Sequence, residues 1–388
     1  MVWQRAERAV TCGAVGACGA GIDTDGAKVN TLSMAEIRCM LMRGGTSKGA
    51  YFLREDLPQD ADERDELLLQ IVGSPDARQI DGIGGAHPLT SKIAVVNKSA
   101  DDAADIDYLF LQTGIDEAFV TDQQNCGNIL AGIGPFAIER GLIQRSGDEA
   151  RVRIRMINTD SIATATFPMK DGVPVYTGST VIAGVPGAAG EVRIDFEDTE
   201  GATCGTLLPT GNPVDKICGV EVTCIDNGMP VIVMRAEDVG ITGYEAPTDL
   251  EANTDLRKIL EEIRLEAGPL MNLGDVTRTT VPKLTMVAPA REGGSLSTRT
   301  FIPHRCHDAI GVLGAVSVAT AAYLPDSPAS SVLLGDISNG VIVVEHPTGT
   351  FDVAIDIDLS GPLPVVHRSG IIRTARKLFD GTVFPREY

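Results

Sequence analysis

Cys126-Gly-Asn-Ile-Leu-Ala-Gly-Ile-Gly134 and Cys306-His-Asp-Ala-Ile-Gly-Val-Leu-Gly314, 180 residues apart, read as two versions of one phrase. Each begins with cysteine, carries an apolar body and reaches glycine eight residues on. A helix that is apolar nearly all round has no face to offer water and must sit inside other structure. The expected helices run from Cys126 to near Gly141 and from about His307 to Ala322. Around them the chain reads as strands and tight turns: a hairpin from Ile37 to Leu53 with its turn at 43–49, then strands near 93–96, 106–113, 151–157, 219–225, 230–235, 283–288, 298–302, 340–345 and 351–358. Further helices are expected at 61–73 and 250–267. The predicted architecture is α/β (α+β), with two pseudo-symmetric halves, each a curved sheet wrapped around a central apolar helix. Residues 34–205 and 206–388 are the expected halves, and the last strand is free to return to the first half. Two unrelated core helices with chance cysteines remain the alternative.

Composition narrows the function classes. With 388 residues, 43% of them hydrophobic, the chain is long enough for two such halves. A net charge of −20 repels nucleic acid and anionic membranes, and no apolar run reaches transmembrane length. Eight cysteines form no dense framework, which suits reduced thiols in a cytoplasm. Residues 1–33 have no continuous apolar core of a signal peptide and read as a disordered tail.

Three constellations carry chemistry. In Gln124-Asn-Cys-Gly-Asn128, Cys126 opens a buried helix, where unsatisfied N–H groups and the positive dipole end favour a thiolate able to accept a proton or attack. Asn125, Gly127 and Asn128 offer small or polar neighbours for a carboxylate. The plainer reading is a buried structural thiol. Lys92 stands where the loop containing Gly84-Gly85 and Ser91 enters a core strand, and desolvation there favours its neutral, basic form. A solvated lysine at a strand edge is the competing reading. Arg43-Gly44-Gly45-Thr46-Ser47-Lys48-Gly49 has the wrong order for a Walker loop but suits an anion-binding turn, or simply a tight hairpin. His304-Arg305-Cys306-His307-Asp308 lacks the second ligand pair of a zinc site, so His304 or Arg305 reads better as a carboxylate contact. Arg278 and Lys283, which bracket a Thr-Thr-Val-Pro turn, are further carboxylate candidates.

Met42–Phe52, Gly73–Gly85, Thr90–Lys92 and Gln124–Asn128, in this order, resemble the 2-methylaconitate isomerase and 4-oxalomesaconate tautomerase family, of diaminopimelate-epimerase-like fold. The resemblance runs from about Glu36 onward, and the first two motifs are worded most like the 4-oxalomesaconate branch. It implies two similar α/β halves with the site in the cleft between them. It also implies a cofactor-independent, metal-free isomerase moving a proton on a small unsaturated polycarboxylate in protocatechuate or gallate catabolism, with Lys92 and Cys126 as the acid–base pair. From the residues themselves, the expected substrate contacts are Gly44, Gly45, Thr46, Ser47, Gly85, Ser91, Asn125, Gly127, Asn128, Arg278, Lys283 and His304, with the Gly44-Gly45 and Gly127-Asn128 amides holding a dienolate. A homodimer stays open. So do a 2-methylaconitate or methylitaconate-type isomerase, a two-cysteine racemase using Cys306, and a non-catalytic accessory protein that binds an aconitate-like ligand. His307 and Asp308, in place of the small residues expected after a second epimerase cysteine, weigh against the racemase.

Overall fold

The structure is a computed structural model that describes residues 36–123, 125–361 and 363–386. The expected tail at 1–33 and Gln124 lie outside the described residues. Residues 36–386 fall within one compact unit.

The described residues open with a hairpin of β1 (Ile37–Gly44) and β2 (Ser47–Leu53), followed by α1 (Ala61–Val72). Asp60 caps α1 by accepting from the Asp62 and Glu63 amides, and Gly73, in the left-handed region, ends it. Next come β3 (Lys92–Lys98), β4 (Ile106–Thr113) and the short β5 (Val120–Thr121). The first apolar helix is two pieces, α2 (Gly127–Leu130) and α3 (Ile133–Glu139). Strands β6 (Glu149–Met156), β7 (Ser161–Lys170), the two-residue β8 (Val173–Pro174) and β9 (Glu191–Phe196) complete this half.

The second half holds β10 (Asp215–Ile217), β11 (Val220–Asp226), β12 (Pro230–Arg235), α4 (Pro247–Ala252), α5 (Thr254–Leu270), β13 (Lys283–Ala288) and β14 (Leu296–Phe301). It continues through α6 (Val312–Tyr323), α7 (Pro328–Ser331), β15 (Val341–His346), β16 (Gly349–Asp358) and the long β17 (Val365–Val383).

Strand directions expose the repeat. Along β1-β2-β3-β4-β6-β7-β9 the pairings run antiparallel, parallel, antiparallel, parallel, antiparallel, antiparallel. Along β11-β12-β13-β14-β15-β16-β17 the same succession recurs. β17 belongs to both series: its early part pairs with β16, its middle with β9 and its end with β1. Pairing to β9 and β1 closes the first series into a barrel. On this repeat we propose the division into halves near residue 205, with β17 shared.

Strands such as β2 and β12 are buried on both faces, for a reason visible in their period of two. In β2, Tyr51 and Leu53 face the inner core with α2 and α3, while Ala50 and Phe52 face α1. In β12, Val231 and Val233 face the core of α6, while Ile232 and Met234 face α5. Helix α6 is small-residue and buried from Gly314 to Ala322, as an enclosed helix must be.

Both central helices depart from expectation. Tyr51 Oη donates to the Ile129 carbonyl at 2.6 Å and presses on Gly132, where an added Cβ would lie 2.5 Å from that hydroxyl. The carbonyl is thereby drawn from regular helix bonding, and the apolar run breaks into α2 and α3. The second helix starts at Val312 rather than His307, because Cys306 bridges back to Phe301 in extended backbone.

Candidate active site

Lys92 is the first residue of β3, held beside Gly49 of β2. A side chain at Gly49 would meet the Lys92 carbonyl at 2.7 Å and Ile129 at 3.1 Å, so glycine there lets strand and helix close together. Cys126 immediately precedes α2, with φ −131° and ψ 99°. Lys92 Nζ lies 3.2 Å from Cys126 Sγ, and the two side chains are 9% and 8% exposed. The Phe110 ring lies 5.4 Å from the Lys92 ammonium. A lysine and a thiol are thus in hydrogen-bond contact in a nearly dry setting.

The surroundings fix this pair. Asn128 is gripped from two sides: its Nδ2 donates to Thr46 Oγ1 at 3.0 Å, and its Oδ1 accepts from Arg373 Nε at 3.1 Å. Arg373 is 6% exposed, its guanidinium 3.7 Å over the Phe351 ring, and burial pulls its pKa down to about 10. Sequence reading missed Arg373, since an arginine in a mixed strand resembles a solvated face. Gly44 and Gly45 press on Asn128: a Cβ at Gly44 would lie 2.3 Å from its carbonyl oxygen, and one at Gly45 2.1 Å from its Oδ1.

Several expected substrate contacts are engaged elsewhere. The Gly45 amide donates to the Thr374 carbonyl at 2.8 Å, so it offers nothing to a dienolate, and Gly44–Gly45 act as a close-packing surface instead. Gly85 donates to Ser91 Oγ, which itself donates to Gln79 Oε1, so this pair ties down the loop that delivers Lys92. His304 points outward, 57% exposed, with Glu261 of α5 at 3.8 Å. Arg278 is exposed and absent from the cleft described next. Neighbours in sequence pointed to both residues, but both side chains are exposed.

A cleft of about 700 Å³ lies at the start of α2 and α6. Asn125 and Gly127, which flank Cys126, line it together with Thr159, Lys283, His307 and Gly311. Gly127 abuts Val312, where an added Cβ would come within 3.2 Å. Asn125 Nδ2 donates to Thr159 at 2.6 Å, while its buried Oδ1 has no partner among the described residues. Ser47 Oγ is likewise buried without one, and Thr46 is exposed. Lys283 and His307 are half-buried, and burial lowers the pKa of each. Hollows of about 560 and 540 Å³ also occur, lined by surface residues such as Arg151, His367, Asp101 and Arg145; Lys92 and Cys126 themselves line none of the three, and the 700 Å³ cleft is distinguished by the residues on either side of Cys126. Lys283 and His307 line the cleft, with the exposed Glu197 and Asp198 as the acids among its lining residues.

The second cysteine is not where the sequence phrase put it. Cys306 lies five residues before the N-cap of α6, and burial pushes its thiol up to about 11. The residue in Cys126's structural place is Gly311, so a symmetrical two-thiol site lacks its second thiol.

The sequence model described as PrpF protein matches residues 34–386. The chain is 56% identical over 353 residues to a (4E)-oxalomesaconate Delta-isomerase of a Novosphingobium species, covering 91% of this chain and 98% of that protein. It is 55% identical over 355 residues to a 4-oxalomesaconate tautomerase of Pseudomonas putida, covering 91% and 97%. Among solved structures, a methylitaconate-delta-isomerase superposes with a TM-score of 0.78 at 34% identity, over 90% of this chain and 95% of that one. Among the described residues no helix is long and apolar enough to cross a membrane.

Proposed function

The chain belongs to the PrpF protein family, and on that premise we propose that it is an isomerase that moves a proton on 4-oxalomesaconate, with Lys92 and Cys126 as the acid–base pair. The single observation carrying the site is the 3.2 Å contact between Lys92 Nζ and Cys126 Sγ, set between two residues that line the cleft. 4-Oxalomesaconate has a CH₂ between a ketone and an alkene, and three carboxylates. Its CH₂ protons are acidified from both sides. One member of the pair removes a proton to give a delocalised dienolate; the other returns one. Return to the ketone oxygen gives the enol, and return to the far alkene carbon gives the 1,3-allylic isomer. Atoms balance with the proton alone, so the reaction needs no redox partner.

Asn125 and the amides of Gly127 and Asn128 are the groups we assign to the developing negative charge. Asn128, clamped by Thr46 and Arg373, keeps the thiol-bearing turn against β1 and β2. We place the reaction in the cytoplasm, in the ring-cleavage catabolism of aromatic acids. The test is proton NMR of 4-oxalomesaconate in D₂O with the wild type, Lys92→Met and Cys126→Ser. Enzyme-dependent deuterium uptake at the CH₂, or a new vinyl signal, lost in the variants, is the expected outcome. Its position separates enol from allylic product. A wild type that exchanges nothing refutes the substrate.

A further inference from the structure

The repeat of strand directions places Lys283 in a position that sequence spacing did not reveal. β3 and β13 are corresponding strands: each pairs in parallel with the strand before it and antiparallel with the strand after it. Lys92 is the first residue of β3 and Lys283 the first residue of β13. Cys126 precedes α2, and Gly311 precedes α6. Each half therefore has a lysine at the start of the same strand and an N-cap residue beside the same cleft. In the first half that residue is a thiol; in the second it has no side chain.

The consequence is a lysine whose counterpart's partner is missing. Lys283 Nζ donates to the Thr280 carbonyl at 2.5 Å, and among the described residues no Asp or Glu forms an ion pair with it. A half-buried ammonium without a counter-anion favours an anion in the adjoining space. That space exists: a Cβ built on Gly311 meets nothing within 4 Å, and Gly311, Lys283 and His307 line the same cleft. His307 Nδ1 accepts from the Ala309 amide, which leaves Nε2 to carry the ring proton and donate.

We propose that Lys283 is the specificity-determining residue of the cleft, binding one substrate carboxylate in the space that Gly311 leaves open. This rests on reading the cleft as a polycarboxylate site. The two lysines then divide the work. Lys92, in contact with a thiol, moves protons, and Lys283, facing open space, selects ligands that carry a further carboxylate.

The experiment compares two ligands that need no turnover: tricarballylate, and glutarate, which is the same chain without the central carboxylate. Calorimetric titration of the wild type is expected to show tighter tricarballylate binding. Lys283→Met weakens tricarballylate by about tenfold or more, the loss expected for a charge-assisted hydrogen bond, and leaves glutarate within about twofold. Lys283→Arg restores most of the difference. Gly311→Val, at an ordinary φ of −67° with room for its Cβ, fills the space and reproduces the selective loss. In turnover, Lys283→Met raises KM more than it lowers kcat. A wild type with no preference, or a Lys283→Met variant that weakens both ligands alike or neither, overturns the assignment. Failure of the isomerase reading shows separately, as absence of 4-oxalomesaconate turnover with the binding contrast intact.

Discussion

Replacing Gly44 with alanine tests whether backbone packing holds the Lys92–Cys126 pair together. The new Cβ would stand 2.3 Å from the Asn128 carbonyl oxygen and 3.2 Å from Ile129 Cα. Carbon and oxygen settle about 3.3 Å apart, so the first turn of α2 must retreat by about 1 Å. Cys126 is two residues away on that turn, and its 3.2 Å contact with Lys92 stretches toward about 4 Å, where the hydrogen bond is lost. Overpacking of this kind costs about 1–3 kcal/mol, while a 1 Å displacement of a reacting group costs about 10²-fold in rate. The variant should therefore fold, with a lowered urea midpoint, and show kcat down about a hundredfold with KM little changed. Because the clash is with backbone, shortening Asn128 to serine does not rescue it. A Gly44→Ala enzyme with kcat within about twofold of wild type refutes the claim that this contact sets the pair's geometry.

Arg373→Met removes a bond to Asn128 worth about 1.5–3 kcal/mol, and a stacking worth about 0.5–2. It also relieves a burial cost of similar size, given the fall of its pKa to about 10; stability should stay within about 1 kcal/mol while kcat falls at least about tenfold. His346 has its pKa pushed down to about 4 by burial, with His307, Arg373 and Arg299 adding repulsion. The unfolded chain takes up this proton below about 6.5 and the folded chain does not, so the stability it confers is lost as pH falls from 6.5 toward 4. In urea unfolding, wild type should lose about 2–3 kcal/mol more than His346→Gln between pH 7 and 4.5. Cys306→Ser should keep kcat within about threefold, against a loss of at least about 10³-fold for Cys126→Ser; equal losses would restore a two-thiol mechanism.

What the sequence revealed follows from where the physical signal was local. β6 was readable because Arg151, Arg153 and Arg155 alternate with buried Val152 and Ile154. Cys126 stood out because it precedes a glycine at the start of an apolar run, whereas the spacing around Lys92 reads equally as a solvated strand edge and only the resemblance singled it out. β17 escaped because its 19 residues change partners twice and carry charge on faces that are buried at one end and exposed at the other. The break between α2 and α3 depends on a hydroxyl from Tyr51, about 80 residues earlier, which no apolar period can reveal. The cysteine-to-cysteine alignment misled because the second phrase matched letters, whereas the repeat of strand directions matched Cys126 to Gly311.

Sharing β17 between the halves sets the order in which this protein can be made. When residue 196 leaves the ribosome, β9 and β1 are both unpaired borders of an open sheet, and the strand that will join them is still untranslated. Through synthesis of the whole second half, those two borders stay adhesive to any extended chain nearby. The Cys126 thiol, enclosed by that unfinished barrel, is shielded only once residues 369–383 arrive. The last strand is thus the closing stitch of the first half, and a crowded cell has an interval in which to interfere with it.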